Sequence, residues 1–438
     1  MNLIQKLSEK EYIDQKPGLN RIKKILKIFN NPQDSFCVIH ITGTNGKGTV
    51  AMSLHNILKQ TNNKIGLYIS PHILKLQERI KVNNEFIPVY TLEKLFQDIL
   101  KLDERYKIGL TYFEILTAVA FLHFKYEKVN FCILEVGLGG KYDATNVVRN
   151  TLVSIITHID YDHTELFGKS LKKITLEKTG IIKKNSSVII NSQYQIVENI
   201  IKNICRKNNC TLFEFNKKFT FKNQKLIFMK NKYYQIFDYY GLMDNYKNLC
   251  VSAIGKNQLA NISLTLAATE LLKNSLNIKT ENIYYGLKNL YLPARFEYRE
   301  VFYENRKYKF IIDGAHNPDS INNLKNNLYS IYGKNKKFTF ILNFMREKNY
   351  KKICAILSKL TKNLIIYNLM LKRVIDQNIL KNEFLKYLKN QQITTLNSFK
   401  ELLKKIKEIN DKFYIVTGSF YLAGEILKKI KKYETKIN

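Results

Sequence analysis

Runs of β-branched and aromatic residues recur along the 438-residue chain at Phe36–Ile41, Lys64–Ile69, Val129–Val136, Leu152–Thr157 and Ser187–Ile190, mostly separated by stretches with apolar residues at helical spacing. Strands that are apolar at consecutive positions need cover on both faces, and the intervening helices provide it, so the alternation predicts a mostly parallel sheet flanked by helices. From Leu212 to Asp244 the pattern changes to short strands with turns between them (Phe219–Phe221, Leu226–Phe228, Tyr233–Phe237), which predicts a small antiparallel insertion. Helical periodicity returns over Gln258–Lys273. The run Leu292-Pro293-Ala294-Arg295 then breaks the pattern, because proline disfavours helix in the residue before it, and a hinge is placed there. A second alternating set follows, with strands at Tyr308–Ile312, Phe338–Leu342, Leu364–Tyr367 and Phe413–Val416.

The first apolar run leads into Thr42-Gly43-Thr44-Asn45-Gly46-Lys47-Gly48-Thr49, and an amphipathic stretch extends from Thr49 to Gln60. Glycines let backbone N–H groups close around an anion, Lys47 adds a positive charge, and the helix that follows presents its partly positive N-terminus. The spacing is a compressed variant of the common nucleotide loop: Ile41 stands where that loop has its first glycine, and Gly48 separates Lys47 from the Thr49 hydroxyl. A plain connector has the same ingredients, but the strand before and the helix after favour phosphate binding. The expected fold is therefore α/β. Residues 1–294 are expected to form a P-loop-type nucleotide-binding domain with a small β insertion near 212–244, and residues 295–438 a smaller, Rossmann-like α/β domain.

The length suffices for two or three domains with buried cores. No apolar stretch is long enough for a membrane span, since Tyr112–Phe124 is short and carries Glu114 and His123. The opening Met1–Lys6 lacks an export signal, so a cytoplasmic location is expected. Six cysteines without Cys-x-x-Cys pairs read as reduced residues, with Cys37 and Cys132 inside apolar strands. The net charge of +34 suggests anionic partners, but the lysines are scattered through every segment. That distribution argues against a nucleic-acid protein, which concentrates charge in a stripe among exposed aromatics.

Glu135 ends the apolar strand Phe131–Leu134 and precedes Val136-Gly137-Leu138-Gly139-Gly140, at the sheet edge where open α/β folds bind ligands. A carboxylate there can meet the Mg²⁺ that accompanies nucleotide phosphates, or simply cap a loop. Ser70-Pro71-His72 offers a hydroxyl at a neighbouring strand end, although Ser-Pro alone marks only a turn. The loop Thr157–Thr164 carries His158, Asp160, Asp162 and His163, which surface loops also carry idly. Lys178 by itself reads as a solvated helix lysine. Asp313-Gly314-Ala315-His316-Asn317-Pro318 is an ordinary turn and helix entry that could also present Asp313 and His316 to an interdomain cleft.

In order and spacing, the segments Gly43–Thr49, Ser70–His72, Glu78–Ile80, Leu134–Gly140, Asp143–Asn146, Asp162–Thr164, Glu177-Lys178, Asp313–Pro318 and Thr417–Ser419 closely resemble the folylpolyglutamate synthase and dihydrofolate synthase family of Mur-type ATP-dependent amide ligases. The resemblance spans nearly the whole chain. It implies that Gly43, Thr44, Asn45, Gly46, Lys47, Gly48 and Thr49 cradle the ATP phosphates, and that Ser70, Glu135 and His163 hold Mg²⁺. It further implies that Asn261, Arg295 and Asp313 contact the nucleotide, that Lys178 is carbamylated, and that Lys47, Lys178 and His316 serve catalysis. A pterin or folate pocket would draw on Gly18, Leu19, Arg21, Arg79, Asp143 and Ala144. Two positions depart from the family pattern. Asn257 stands where a histidine is usual, and Ala294 replaces a glycine, which suggests a backbone no longer needing positive φ.

The implied reaction joins L-glutamate to the carboxylate of dihydropteroate or a reduced folate, with a hinge near Arg295 closing two domains around the substrates. A monomer acting on small molecules, without nucleic acid or membrane, is expected. The rivals are another Mur-type ligase, which needs a uridine-nucleotide domain ahead of the phosphate loop, a nucleotide-switch ATPase, and an RNA-binding protein recognised by salt-sensitive binding.

Overall fold

The computed structural model describes residues 18–434, and the opening Met1–Lys6 considered above lies outside them. The chain clusters into two compact units. One comprises the residues up to Gln224 with Phe237–Cys250 and Ala260–Leu290; the other comprises Lys225–Ile236, Val251–Leu259 and the residues from Tyr291 onward. Among the described residues no helix is long and apolar enough to cross a membrane.

The first unit is built on an eight-stranded sheet. Its strands are β1 (Cys37–Thr42), β2 (Ile65–Tyr68), β3 (Ile80–Val82), β4 (Glu85–Phe86), β5 (Phe131–Glu135), β6 (Thr151–Ile156), β7 (Ser187–Ile190) and β8 (Thr211–Glu214), in the order β4-β3-β2-β5-β1-β6-β7-β8. The six strands from β2 to β8 pair parallel, and only the β2-β3-β4 edge is antiparallel. β1 lies at the centre, buried at nearly every position, which explains why its residues are apolar apart from His40 and Thr42. The helix Lys47–Leu58 that leaves it is not amphipathic as expected: Thr49, Val50, Ala51, Ser53, Leu54, His55, Ile57 and Leu58 are all buried. Helices Asn20–Ile28, Val89–Arg105 and Tyr112–Tyr126 share one core with β1, β2 and β5.

The region read as one insertion divides. Thr211–Glu214 joins the main sheet as β8, and the later segments β9 (Thr220–Met229), β10 (Lys232–Tyr240) and β11 (Asn245–Val251) form a separate three-stranded sheet. Lys225–Ile236 and Val251–Leu259, placed by sequence within residues 1–294, cluster with the second unit. Aromatic packing accounts for this: Tyr233 lies edge-on to Phe296 and Tyr298, and its hydroxyl meets that of Tyr332 at 2.7 Å.

The second unit carries a six-stranded sheet of β12 (Glu297–Tyr303), β13 (Arg306–Ile312), β14 (Phe338–Leu342), β15 (Thr361–Tyr367), β16 (Ile393–Leu396) and β17 (Phe413–Thr417), in the order β12-β13-β17-β14-β15-β16. All pairs are parallel except β12-β13. Ala294 departs from the sequence expectation. It has φ +53°, so the alanine occupies the left-handed backbone region despite its Cβ, and the turn holds it there with Ala294 N–H donating to Glu297 and its carbonyl accepting from Gly314 N–H at 2.8 Å.

Candidate active site

The C-terminal ends of β1 and β5 and the end of helix Leu171–Lys178 line a cavity formed by Gly43, Thr44, Lys47, Val136, Gly137, Leu138, Gly139, Asp162, His163 and Lys178. The turn after β1 needs its glycines. Gly43 has φ +142° and a Cβ there would lie 1.9 Å from Thr157 Oγ1; Gly46 has φ +97° and would collide with the Asn261 side chain. Thr44 is tied to the Thr157–Thr164 loop, its N–H donating to the His158 carbonyl at 2.8 Å and its hydroxyl to that of Asp160 at 3.0 Å. Gly48 and Thr49 are buried in the first turn of the helix.

Two lysines converge on one carbonyl. Lys47 Nζ donates to Gly43 O at 3.1 Å and Thr44 O at 3.2 Å, while Lys178 Nζ donates to the same Gly43 O at 2.9 Å. Lys178 is only 6% exposed, so it is no solvated helix lysine. Burial, with the Lys47 charge adding to it, pushes the Lys178 ammonium down to about 7, and Asp162, Glu177 and Asp143 pull the other way. The site is thus poised between a cation and a neutral amine near physiological pH.

Glu135 is buried at the end of β5 and accepts from Ser70 N–H at 3.1 Å, which places two of the predicted metal ligands side by side. His163 lies on the cavity wall with φ +49°, its N–H donating to Asp162 Oδ1 at 2.9 Å and its Nε2 at 3.8 Å from Asp162 Oδ2. A buried carboxylate and a hydroxyl-bearing turn are hard oxygen donors of the kind Mg²⁺ takes, so the residues fit that ion. Asn261 is buried against Gly46.

Of the residues expected to meet a pterin, Arg21 and Arg79 come to the first turn of helix Tyr112–Tyr126. Arg21 Nε donates to Glu114 Oε2 at 3.0 Å, and the Arg79 guanidinium lies 5.7 Å from the Tyr112 ring centre while its Nε donates to His72 Nδ1 at 3.0 Å. Burial and the Arg79 charge hold His72 down at about 4. Leu19 packs on the neighbouring core, Ala144 is buried in it, and Gly18 has open space where a Cβ would sit. The Asp143 carboxylate is engaged inside the protein, accepting from Leu138 N–H at 2.9 Å and from the Thr145 N–H and hydroxyl at 3.0 and 2.5 Å. Sequence reasoning did not single out Tyr112 or Glu114; Glu114 carried a signal in the Thr111-x-x-Glu114 capping box, whose reciprocal bonds the structure shows, and Tyr112 carried none.

In the second unit Asp313 follows β13. Its carboxylate accepts from Phe296 N–H at 2.8 Å and Ala315 N–H at 2.9 Å, and burial raises it to about 6 against the pull of those bonds and of Arg295. Arg295 lies 5.1 Å from the centre of the Phe420 ring and donates to Pro293 O; the His316 ring packs on the same phenyl at 5.8 Å, with its Nδ1 2.8 Å from Gly314 O. Phe420 is thus a platform for two predicted site residues, and it stands directly after Thr417-Gly418-Ser419 in the sequence. Asn257, at the other departure from the pattern, donates to Asn323 Oδ1 at 2.7 Å.

Residues 41–269 match the Mur ligase middle domain, and residues 296–429 match the dihydrofolate synthetase C-terminal domain. With the glycine-rich loop after β1 and the two mostly parallel sheets, these matches define an ATP-dependent ligase of the Mur type, forming an amide between an acid and an amino acid. The chain is 30% identical over 429 residues to the dihydrofolate synthetase of Saccharomyces cerevisiae, with 94% of this chain and 97% of that one covered. It is 26% identical over 431 residues to the dihydrofolate synthase/folylpolyglutamate synthase of Bacillus subtilis, with 95% of each covered. The crystal structure of folylpolyglutamate synthase from Thermotoga maritima matches with a TM-score of 0.83 at 29% identity, over 100% of this chain and 97% of that one. The chain belongs to the dihydrofolate synthetase and folylpolyglutamate synthase family.

Proposed function

We propose that this protein uses ATP to join the amino group of L-glutamate to the carboxylate of a dihydropteroate or folate acceptor. The observation that carries the reading is the convergence of Lys47 and Lys178 on the Gly43 carbonyl, inside a cavity walled by the phosphate loop and the Gly137–Gly139 turn. A carboxylate oxygen attacks the γ-phosphorus and ADP leaves; the glutamate nitrogen then attacks the acyl carbon, phosphate leaves, and the amine loses its proton. Lys47 offsets the charge of the phosphoryl group in transfer, and the loop amides of Gly43–Thr49 orient it. Ser70, Glu135 and His163 are the residues for a Mg²⁺, which supplies further charge neutralisation when bound. Asn261, Arg295 and Asp313 are assigned to the nucleotide, His316 to catalysis, and Gly18, Leu19, Arg21, Arg79, Asp143 and Ala144 to the acceptor, on their match to the family motifs.

Lys178 carries a carbamate in the working enzyme. Its neutral amine attacks carbon dioxide and one proton passes to solvent, turning a repelled ammonium into an anionic oxygen ligand suited to a hard cation. Burial favours the neutral amine that this step needs.

The test is ADP formation by the enzyme with dihydropteroate or tetrahydrofolate, each with and without L-glutamate. Turnover that requires both an acceptor and glutamate is expected, and whichever acceptor supports it distinguishes dihydrofolate synthesis from polyglutamylation. Steady ATP hydrolysis with neither substrate would replace the ligase reading by a nucleotide switch.

A further inference from the structure

His40 lies in the middle of β1 with no exposed surface, and its Nε2 is 2.8 Å from Thr145 Oγ1. Thr145 Oγ1 is in turn 2.5 Å from Asp143 Oδ1, and Asp143 Oδ2 accepts from Leu138 N–H at 2.9 Å. A hydroxyl has one proton to give, and the carboxylate takes it; Thr145 Oγ1 must then accept from His40, so the imidazole proton sits on Nε2. The other ring nitrogen, Nδ1, is buried without a partner, which a protonated ring could not tolerate. The relay starts on the central strand and ends on the backbone of the Gly137–Gly139 turn, which the Thr42 hydroxyl also grips by donating to Gly139 O at 2.7 Å.

We infer that His40 and Thr145 are positioning residues: they fix the Asp143 carboxylate so that it holds the Gly137-Leu138 backbone in place as one wall of the phosphate cavity. Neither touches the cavity, and their effect passes through Asp143 to the turn. The catalytic consequence rests on the ligase reading above; the structural consequence does not. Freeing the turn leaves the phosphate loop intact, so nucleotide binding is retained while the cavity wall formed by Gly137–Gly139 loosens.

Thr145→Val keeps the shape and removes the hydroxyl, whereas Thr145→Ser keeps the hydroxyl. Amide hydrogen exchange at Leu138 is expected to quicken on the order of tenfold or more in Thr145→Val and to stay near wild type in Thr145→Ser. In glutamate-dependent ADP formation, kcat should fall on the order of tenfold or more in Thr145→Val with the KM for ATP unchanged, and Thr145→Ser should restore it. Equal Leu138 exchange in the two variants overturns the inference whether or not the enzyme proves to be a ligase. Nitrogen-15 spectra of histidine-labelled wild-type protein give a check that needs no variant: a proton on Nε2 of His40 is expected, and a proton on Nδ1 overturns the relay.

Discussion

Lys178 shows how far a residue type read from sequence can mislead. On helix periodicity alone it is a solvated cation, and only the family motif around it suggested a role; the structure buries it beside Lys47. The consequence is a pH-dependent stability. The folded-state pKa lies near 7 and the unfolded value near 10.5, so between them the unfolded chain holds a proton that the folded chain lacks. The penalty is complete below the folded value and is relieved as pH rises through this window, so stability should increase with pH by on the order of 1 kcal/mol per unit. In buffer freed of carbon dioxide, denaturant unfolding of wild type should show this slope and Lys178→Met should lack it. Equal slopes would mean that the amine is not buried as described. Lys47→Ala tests the other member of the pair: loss of a charge contact to the transferring group should lower kcat by roughly a hundredfold or more, with an unchanged unfolding midpoint. Activity within a few-fold of wild type would remove Lys47 from the reaction.

Among elements, those with the strongest periodicity were legible and those at edges were not. β1, β5, β6 and β7 are mostly apolar because both faces are covered, and the change from strand to helical spacing at Gly43–Lys47 is visible in the residues themselves. β3 and β4 are too short to show a period, and β12 and β16 are sheet edges that mix polar and apolar residues without a regular alternation. Ala294 departs from expectation for a different reason: a composition rule permits the left-handed region to glycine, but a bond to the Glu297 carboxylate and one from Gly314 N–H override it here. Close packing between elements was equally silent in the sequence. A Cβ on Gly180 would lie 2.4 Å from Lys141 Cα, where the segment after helix Leu171–Lys178 meets the turn behind Gly139 and Gly140. Gly180→Ala should therefore cost roughly 1–3 kcal/mol in a denaturant melt and slow turnover as well, since the displaced turn adjoins the cavity wall. Wild-type stability in that variant would show that the approach of Gly180 to Lys141 is loose enough to take a methyl group. In the second unit, Phe420→Leu should raise the KM for ATP by on the order of tenfold by removing the surface on which Arg295 and His316 rest, with kcat less affected.

For the molecule as a whole, the quantity that stands out is charge: 71 lysines and arginines against 37 acidic residues. In a ligase whose proposed substrates are a nucleotide triphosphate, a folate carboxylate and glutamate, every reactant carries negative charge. A positive field of this size raises the local concentration of such reactants and speeds their encounter, and salt weakens that effect because the screening length shrinks to a few ångströms near molar ionic strength. The charge is spread over all segments, so the field acts at long range and needs no specific patch. It should therefore appear in encounter and leave the chemical step alone. Raising ionic strength from a dilute buffer to near molar is expected to lower kcat/KM for ATP by on the order of tenfold, with kcat changed by less than about twofold. An uncharged solute that raises viscosity to the same extent serves as the control. If salt lowers kcat as strongly as kcat/KM, the ions are acting inside the Lys47 and Lys178 site, and the surface charge has no part in gathering substrate.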